Sequence, residues 1–543
     1  MPEFYRGYRA NEWAAYFQDD WKFRRNLTFN LGLRWEYFGP PHNFRPGIDS
    51  NFFFGSGDTP VPNPSANPFF PDDSPLAAKV ARGGFQQRDH EIWKKDFNNF
   101  APRVGFAWDV LGSQKLVIRG GGAISYDRIW NNLFENIRFN APFFSFATVG
   151  AFGGGAGVPA GPLSTPGIFG VPFTQASRDV FSDPLFSPVP SPRHMDENLV
   201  TPYVQQFNLG VQYEFANDFL FEANYITTQG RNLTGIIDIN TFNGRTNIAG
   251  LRANGSTRRP NSNLGGDNFR TNAFKSIYHG GQFIVRNRTW HGLQFNSHYT
   301  FAKSIDEVSD AFNNRAGQRP MDNTSIALDR GRADFDIRHR FVTGFTYDLP
   351  FFKGNRFLGG WVMSGVAQFQ SGVPFSVFNS NEDPNGDGYF TDRALFVGSN
   401  LSGVYTNNSS PADGFFDATQ FQGVVTRINE LIDAGTPQLA AIQTACGPNN
   451  GVILSATQWW CNGTSGRNSL SGPRYSNVDF GVHKKFKITE GTSIQLQANA
   501  FNIFNHTNFG LPVGNLNDTV NVGKSINTAG TPRVIQLAIR LDF

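Results

Sequence analysis

The chain ends in VIQLAIRLDF (534–543), a stretch in which apolar side chains alternate with polar or small ones. Side chains alternate across a β-strand, so the apolar positions share one face and the others share the opposite face. The apolar positions are Ile535, Leu537, Ile539, Leu541 and Phe543. This pattern predicts a strand whose two sides meet different environments.

The same period of two recurs along the chain. It is clear in LTFNLGLRWEYF (27–38), FNLGVQYEF (207–215) and LQFNSHYTF (293–301). The polar positions carry Gln, Asn, Thr, Gly and scattered charges, which suit a barrel interior better than a face in bulk water. The apolar positions are rich in Phe and Leu, which suit lipid and its interfaces. We therefore predict an all-β fold, a transmembrane antiparallel β-barrel of the outer-membrane type, and consider a large soluble β-structure the weaker alternative.

Composition agrees with this fold class. Aromatic residues make up 15% of the chain and charged residues only 17%, against about 25% charged residues in soluble domains. The sequence has no apolar run of the roughly 18 residues that a transmembrane helix needs. The net charge of +3 comes without a clustered basic face, so no nucleic-acid partner is expected.

The alternation and the turn signals predict thirteen strands. They are 11–21, 27–38, 101–110, 115–126, 202–215, 218–229, 277–289, 292–303, 335–348, 359–370, 475–487, 491–504 and 532–543. Six long connections separate hairpins with short turns, namely 39–100, 127–201, 230–276, 304–334, 371–474 and 505–531. Outer-membrane barrels have short periplasmic turns and long extracellular loops, so we expect these six to lie outside the cell.

The chain ends suggest a C-terminal portion of a larger barrel. The last strand follows a long loop and therefore runs inward; counting back, the first strand also runs inward, so a strand is expected before it. The N-terminal MPEFYRGYRANEW has no signal-peptide pattern. An open sheet would leave edge N–H and C=O groups unpaired in lipid. We expect further strands upstream.

The last strand also resembles the signal that the barrel-assembly machinery reads. That signal combines a terminal aromatic residue with apolar residues at alternate positions before it. Here Phe543 is the terminal residue, and Leu541, Ile539 and Leu537 precede it. We expect outer-membrane lipid and this machinery to be partners of the chain.

The two cysteines, Cys446 and Cys461, lie in a loop-like stretch. They are expected to form a loop disulfide in an oxidising compartment, the alternative being two free thiols. Their spacing lacks the further ligands of a zinc site.

A calcium loop is a second candidate site in the same long connection. Asp383, Asn385 and Asp387 in NEDPNGDGYFTDR follow the D-x-N-x-D-G spacing, which gathers oxygen ligands around a tight glycine turn. Ala394 stands where a bidentate acid is expected, and Asp392 is the nearest substitute. The alternative is an Asx-rich turn without calcium.

The segment DRGRADFDIRHRF (329–341) is dense in charge. If its strand begins at 335, then Phe335, Ile337 and Phe341 point outward, and Asp336, Arg338 and Arg340 point into the lumen. Arg332 and Asp334 then lie near the rim. We expect an ion-pair ladder on the wall or contacts to a plug, with ligand binding as the less favoured reading.

No motif supports catalysis. The nine histidines are scattered, and neither a nucleophile elbow nor an H-E-x-x-H motif is present. Glycine runs at 120–122 and 153–155 lack the lysine of a phosphate-binding loop. We predict no catalytic residues, no bound organic cofactor and no enzyme activity.

An ordered set of segments resembles the barrel of TonB-dependent receptors of the Oar-like type, common in Acidobacteria. The set includes AAYFQDDWKFRRNLTFNLGLRWEYFGPP (14–41), NNFAPRVGFAWDV (98–110), KLVIRGGGAISYDR (115–128), TPYVQQFNLGVQYEF (201–215), LQFNSHYTFAKSIDE (293–307), DFDIRHRF (334–341) and NVDFGVHKKFKITEGTSIQLQANAFNIFNHTNFG (477–510).

The resemblance implies a barrel of about 22 strands, of which this chain supplies about thirteen, with the plug absent. It also implies energy-coupled uptake of a large or scarce substrate, with TonB contacted only through a missing N-terminal region. The extracellular ligand is unknown. A passive porin-like channel, a surface adhesion or envelope protein on the same barrel, and a gene remnant are the alternatives.

Overall fold

One antiparallel sheet dominates the molecule. The computed structural model describes residues 6–45, 49–53, 84–87, 91–140, 191–240, 266–312, 320–323, 325–352, 354–385, 392–448, 451–455 and 458–543. Thirteen strands follow one another across the sheet in chain order. They are β1 Glu12–Arg24, β2 Leu27–Phe38, β3 Asn99–Asp109, β4 Leu116–Tyr126, β5 Tyr203–Ala216, β6 Phe219–Asp238, β7 Asn268–Trp290, β8 Leu293–Asp306, β9 His339–Asp348, β10 Trp361–Gln370, β11 Tyr475–Lys487, β12 Ser493–Phe501 and β13 Val534–Asp542. We call this sheet the wall.

Each predicted strand coincides with one strand of the wall, but three boundaries differ by four residues or more. β6 continues to Asp238 and β7 begins at Asn268, so the predicted loop 230–276 is much shorter. Here the two strands keep pairing far beyond the 9–11 residues that cross a bilayer. The strand predicted over 335–348 begins only at His339. The backbone turns instead at Asp336, whose side chain accepts a hydrogen bond from Ser304 N at 2.7 Å.

Connections alternate between a short-turn end and a long-connection end of the wall. The short turns are 25–26, 110–115, 217–218, 291–292, 349–360 and 488–492. In the turn between β7 and β8, the backbone conformation accounts for the residue types. His291 and Gly292 both have positive φ, at 52° and 87°. A two-residue hairpin of this kind favours glycine. A Cβ at Gly292 would also lie 2.7 Å from Asp348 O.

The two faces of the wall differ as the alternation predicts. Leu209 on β5 lies opposite Tyr225 on β6 and Gly120 on β4. Leu209 and Tyr225 are about half exposed, and in β13 Leu537 and Ile539 are each 77% exposed. Such exposure of large apolar side chains along successive strands is not stable in water and fits a lipid-facing surface.

The long-connection end carries the remaining elements, which we call the loop layer: the described residues of 39–98, 127–202, 239–267, 307–338, 371–474 and 502–533. Its helices are α1 Asn131–Glu135, α2 Val424–Asp433 and α3 Gln438–Cys446, with 3-10 turns Asn136–Phe139, Ile326–Asp329, Leu401–Val404 and Ala418–Gln420. None of the described helices combines the length and the hydropathy of a transmembrane helix.

Short strands complete this end of the molecule. The paired ones are Tyr8–Arg9 with His42–Asn43, Ser50–Phe53 with Gly84–Gln87, Pro374–Phe375 with Leu470–Ser471, Leu395–Phe396 with Phe421–Gln422, and Gly451–Ser455 with Gln458–Cys461; Arg193–Met195 joins β7 and Gly331–Arg332 joins β8. Three clusters of buried hydrophobic residues lie in the loop layer, and a small fourth lies at the outer end of the β6–β7 hairpin. The hydrophobic clusters among the described residues thus lie at the long-connection end of the wall and not against one of its two faces.

Candidate functional site: the loop layer and the polar face

The polar face of the wall forms a concave, hydrophilic surface. Across β8 to β12 it lines a cavity of about 640 Å³. Side chains that project into it come from neighbouring strands: Gln294, Asn296, Thr346, Ser364 and Asn499. The register places Thr346 opposite Ser364, and Gly481 between Ser364 and Asn499. Neutral amides and hydroxyls dominate here, so the surface can bind polar groups through hydrogen bonds.

Most of the charged segment 329–341 lies at the rim of the wall, whereas Arg340, opposite Thr300 and Gln370, lies on the polar face as predicted. The first half of the segment fastens the connection 371–474 to the rim of the wall. Asp329 forms a buried ion pair with Arg393, whose Nη2 also donates to Leu328 O at 2.9 Å. Arg393 Nε donates to Ser465 O at 3.0 Å. Burial raises the pKa of Asp329 above its usual range, although Arg393 acts in the opposite direction.

A second arginine, Arg467, makes the same kind of connection. Its guanidinium bonds to the Asp306 carboxylate at the end of β8, and donates to Asp329 O at 2.9 Å and Ser309 Oγ at 2.9 Å. Beside it, Asn468 Nδ2 donates to Asp334 Oδ1 at 2.7 Å. These buried contacts join segments 130 or more positions apart in the sequence. Removing either partner of the ion pair would therefore leave a buried charge without its counter-charge.

Two further residues of the charged segment, Asp336 and Arg338, do not have the predicted orientation. Asp336 is buried and pairs with Arg332 at 2.8 Å, so it closes the turn before β9 instead of facing the lumen. The Arg338 guanidinium lies 5.6 Å from the ring centroid of Phe301, an exposed side chain of the apolar face. Asp336 and Arg338 therefore do not form the ladder predicted on the wall, and the ion pairs of this segment lie at the rim and between connections instead.

The two cysteines lie in a small helical unit of the loop layer. Cys446 at the end of α3 is bonded to Cys461, with Cα atoms 5.6 Å apart. Both pack in a buried cluster with Ile428 and Ile442. The unit is also held by Glu382, whose carboxylate accepts hydrogen bonds from the first N–H groups of α2. A carboxylate there complements the positive end of the helix dipole.

The predicted calcium loop is only partly within the described residues. Asp383, Asn385 and Asp392 are all buried, and Asp387 lies outside the described residues. Asn385 Nδ2 donates to Asp392 Oδ1 at 3.1 Å and to Met321 O at 2.5 Å. Among described residues, no three acidic, histidine or cysteine side chains are grouped to hold a metal ion. Calcium binding therefore stays a prediction.

A further part of the loop layer was not found by sequence reasoning. Asn51 exchanges hydrogen bonds with the backbone of Met195 at 2.9 and 3.0 Å, and Asn140 does so with Arg193 at 2.8 Å. His194 Nδ1 lies 3.0 Å from Asp267 Oδ2 in the buried interior. Partners so distant in sequence leave no local pattern, and only the fold brings them together.

The predicted assembly signal lies on the apolar face of β13. Leu537 and Ile539 are 77% exposed, Leu541 55% and Phe543 97%. β13 pairs with β12 alone within the described residues. Recognition of this strand by the assembly machinery stays a prediction.

A family model described as an outer membrane beta barrel domain matches residues 2–536. No curated protein matches the chain in sequence.

Solved structures with a similar arrangement are larger receptors and transporters. The ferripyoverdine receptor of Pseudomonas aeruginosa shares 10% identity at a TM-score of 0.41, and the chain covers 39% of its length and 99% of its own. The outer membrane transporter YddB of Escherichia coli shares 10% identity at a TM-score of 0.42, and the chain covers 54% of its length and 98% of its own. The ferric citrate transporter FecA shares 10% identity at a TM-score of 0.40, and the chain covers 46% of its length and 99% of its own. The chain thus spans about two fifths to just over half of these proteins.

Proposed function

This chain belongs to the outer membrane β-barrel domain family, and we propose that it forms the wall and outer loops of a receptor for energy-coupled uptake. The chain is an outer-membrane protein. The proposed cargo is a substrate too large or too scarce for passive pores, such as a glycan, a peptide or a siderophore. In such a receptor a plug and a segment that contacts TonB accompany the wall.

The organisation of the loop layer carries the proposal. Long connections fold into buried clusters and are fixed to the rim by Arg393 and Arg467. A preordered surface loses less conformational entropy when a ligand binds. An uptake receptor needs such a surface on the outside of the cell, whereas a passive channel needs only an open lumen. The ordered resemblance to Oar-like receptors supports the same reading.

Two alternatives use the same architecture. A passive porin-like channel would draw on the polar face and its cavity of about 640 Å³. An Oar-like adhesion or envelope protein would use the loop layer as a contact surface without transport. The three functions differ in their need for energy and in their effect on attachment.

The test is a deletion of the gene in the source organism, complemented by the native gene. We expect slower growth on one of a panel of scarce nutrients (iron chelates, oligosaccharides, peptides), with the same defect when TonB is deleted or the proton gradient is collapsed. Uptake that persists without TonB, with steady conductance in a planar bilayer, would establish the porin-like channel. Weaker surface attachment with normal uptake of every nutrient would establish the adhesion protein.

A further inference from the structure

Two arginines meet where the short strand Arg193–Met195 joins β7. The two strands are parallel, with Arg193 opposite Asn268 and Met195 opposite Arg270. Because side chains alternate along a strand, Arg193 and Arg270 project from the same face of this pair. His194 and Phe269 project from the other face, where their rings pack with centroids 4.6 Å apart. The pairing therefore gathers two cationic groups on one side.

Among the described residues, the hydrogen-bond partners of these two guanidinium groups are backbone carbonyls. Arg193 Nη1 donates to Ser191 O at 2.6 Å, and Arg270 Nη1 donates to Asn268 O at 2.8 Å. Arg270 is 3% exposed, and its buried Nε has no hydrogen-bond partner in the part of the chain that the structure describes. Across the described ranges, neither arginine has a carboxylate as an ion-pair partner.

The nearby carboxylates are engaged elsewhere. Asp267 lies against His194, and Asp196 accepts a hydrogen bond from Thr271 Oγ1 at 3.1 Å. Burial, followed by the charge of Arg193, lowers the pKa of Arg270 to about 9, while Asp267 acts in the opposite direction. Arg270 thus stays charged at neutral pH. Asp267 attracts this charge but forms no ion pair with it among the described residues, so part of the cost of burying the charge remains, and an anion at this place would lower that cost.

The site lies beyond the membrane. Arg270 is 20 positions from Trp290 at the short-turn end of β7, whereas a strand crosses a bilayer in about 9–11 residues. A lipid headgroup is therefore a poor candidate for the anion. A guanidinium presents its N–H groups as a fork that matches the two oxygens of a phosphate or a carboxylate.

We propose that Arg193 and Arg270 form a binding site for an oxyanion, a phosphate or carboxylate group of a soluble ligand outside the cell. Anion binding follows from the two arginines and their burial. Its role in choosing an anionic cargo rests on the proposed uptake function.

The experiment uses the purified full-length protein in detergent at pH 7. Isothermal titration with inorganic phosphate and with citrate, against chloride of equal ionic strength, measures affinity, and thermal unfolding in the same buffers measures stability. The variants are Arg193→Gln, which is half-buried and expected to fold, and Arg270→Gln. Arg427→Gln is the matched control, because Arg427 lies on the exposed face of α2 beside Glu430.

We expect wild type and Arg427→Gln to bind one of the two anions and unfold at a higher temperature in its presence. Each site variant should bind at least about tenfold more weakly, because a charge-assisted bidentate contact is lost. No anion response in the wild type, or an equal response in Arg193→Gln, would overturn the site. A response to phosphatidylglycerol vesicles but to neither soluble anion would also overturn the site, because it would indicate a lipid headgroup as the ligand. A site variant that loses anion binding but keeps uptake would refute the role in choosing cargo alone. Uptake that is lost in a null strain but does not depend on TonB would refute the proposed uptake function alone.

Discussion

In the wall, Leu537 and Ile539 are each 77% exposed, whereas in the loop layer Ile428 and Ile442 are completely buried. The same residue types therefore lie in opposite places within one chain. The wall presents apolar side chains outward because lipid surrounds it, and its inner face is polar. The loop layer lies in water and must bury its apolar side chains in clusters of its own. Substitutions should consequently have opposite rules in the two regions.

The largest effect is expected where the two regions meet. Arg467→Ala removes the partner of buried Asp306 and should destabilise the attachment of connection 371–474 by about 3–5 kcal/mol. Hydrogen exchange should rise in this connection while β1 to β6 keep their protection. Arg427→Ala, an exposed pair, should change exchange hardly at all. Uniform loss of protection across the wall would show that the two regions are not separable.

The next effect breaks the wall alone. Leu209→Arg places a charge in the middle of the apolar face of β5 and should cost about 2–4 kcal/mol in lipid. Asn208→Arg, one position away on the polar face, should cost much less. Urea unfolding in vesicles measures both variants. Equal costs for the pair would contradict the assignment of the two faces.

The disulfide tests the loop layer by itself. The Cys446–Cys461 bond spans 15 positions, and closing such a loop stabilises the folded state by about 3 kcal/mol. The Cys446→Ser, Cys461→Ser double variant should make α2 and α3 more sensitive to protease and leave heat-resistant migration of the wall on gels unchanged. Mass spectrometry showing two free thiols in the native protein would sink the disulfide itself.

The smallest effect belongs to calcium. Extracellular calcium sites bind in the range of about 10⁻⁴–10⁻³ M, so 1 mM calcium should stabilise connection 371–474 by only about 0.4–1.4 kcal/mol. Protease resistance of this connection should rise with calcium and fall with a chelator. Asp383→Asn should abolish the response, and Asp413→Asn, at an exposed loop position, should keep it. A calcium response that is the same in both variants would assign the ion elsewhere.

The segment 329–341 shows where sequence reasoning stops. Alternation placed β9 within four residues of its true start, because a wall strand is defined by local pattern. It could not foresee that Asp336 caps Ser304 or that Asp329 meets Arg393, since those partners lie 32 and 64 positions away. The extension of β6 and β7 was missed for a related reason, because beyond the bilayer neither face needs to be uniformly apolar.

The sequence by itself determined the wall. Thirteen amphipathic segments in order, separated by turns and long connections, leave few other folds, because each strand must satisfy its backbone hydrogen bonds while facing lipid on one side. Only the tertiary structure decided the loop layer. Arg393 with Asp329, Arg467 with Asp306, and Arg193 beside Arg270 are set by contacts between distant segments, which depend on how the connections pack and not on any local period.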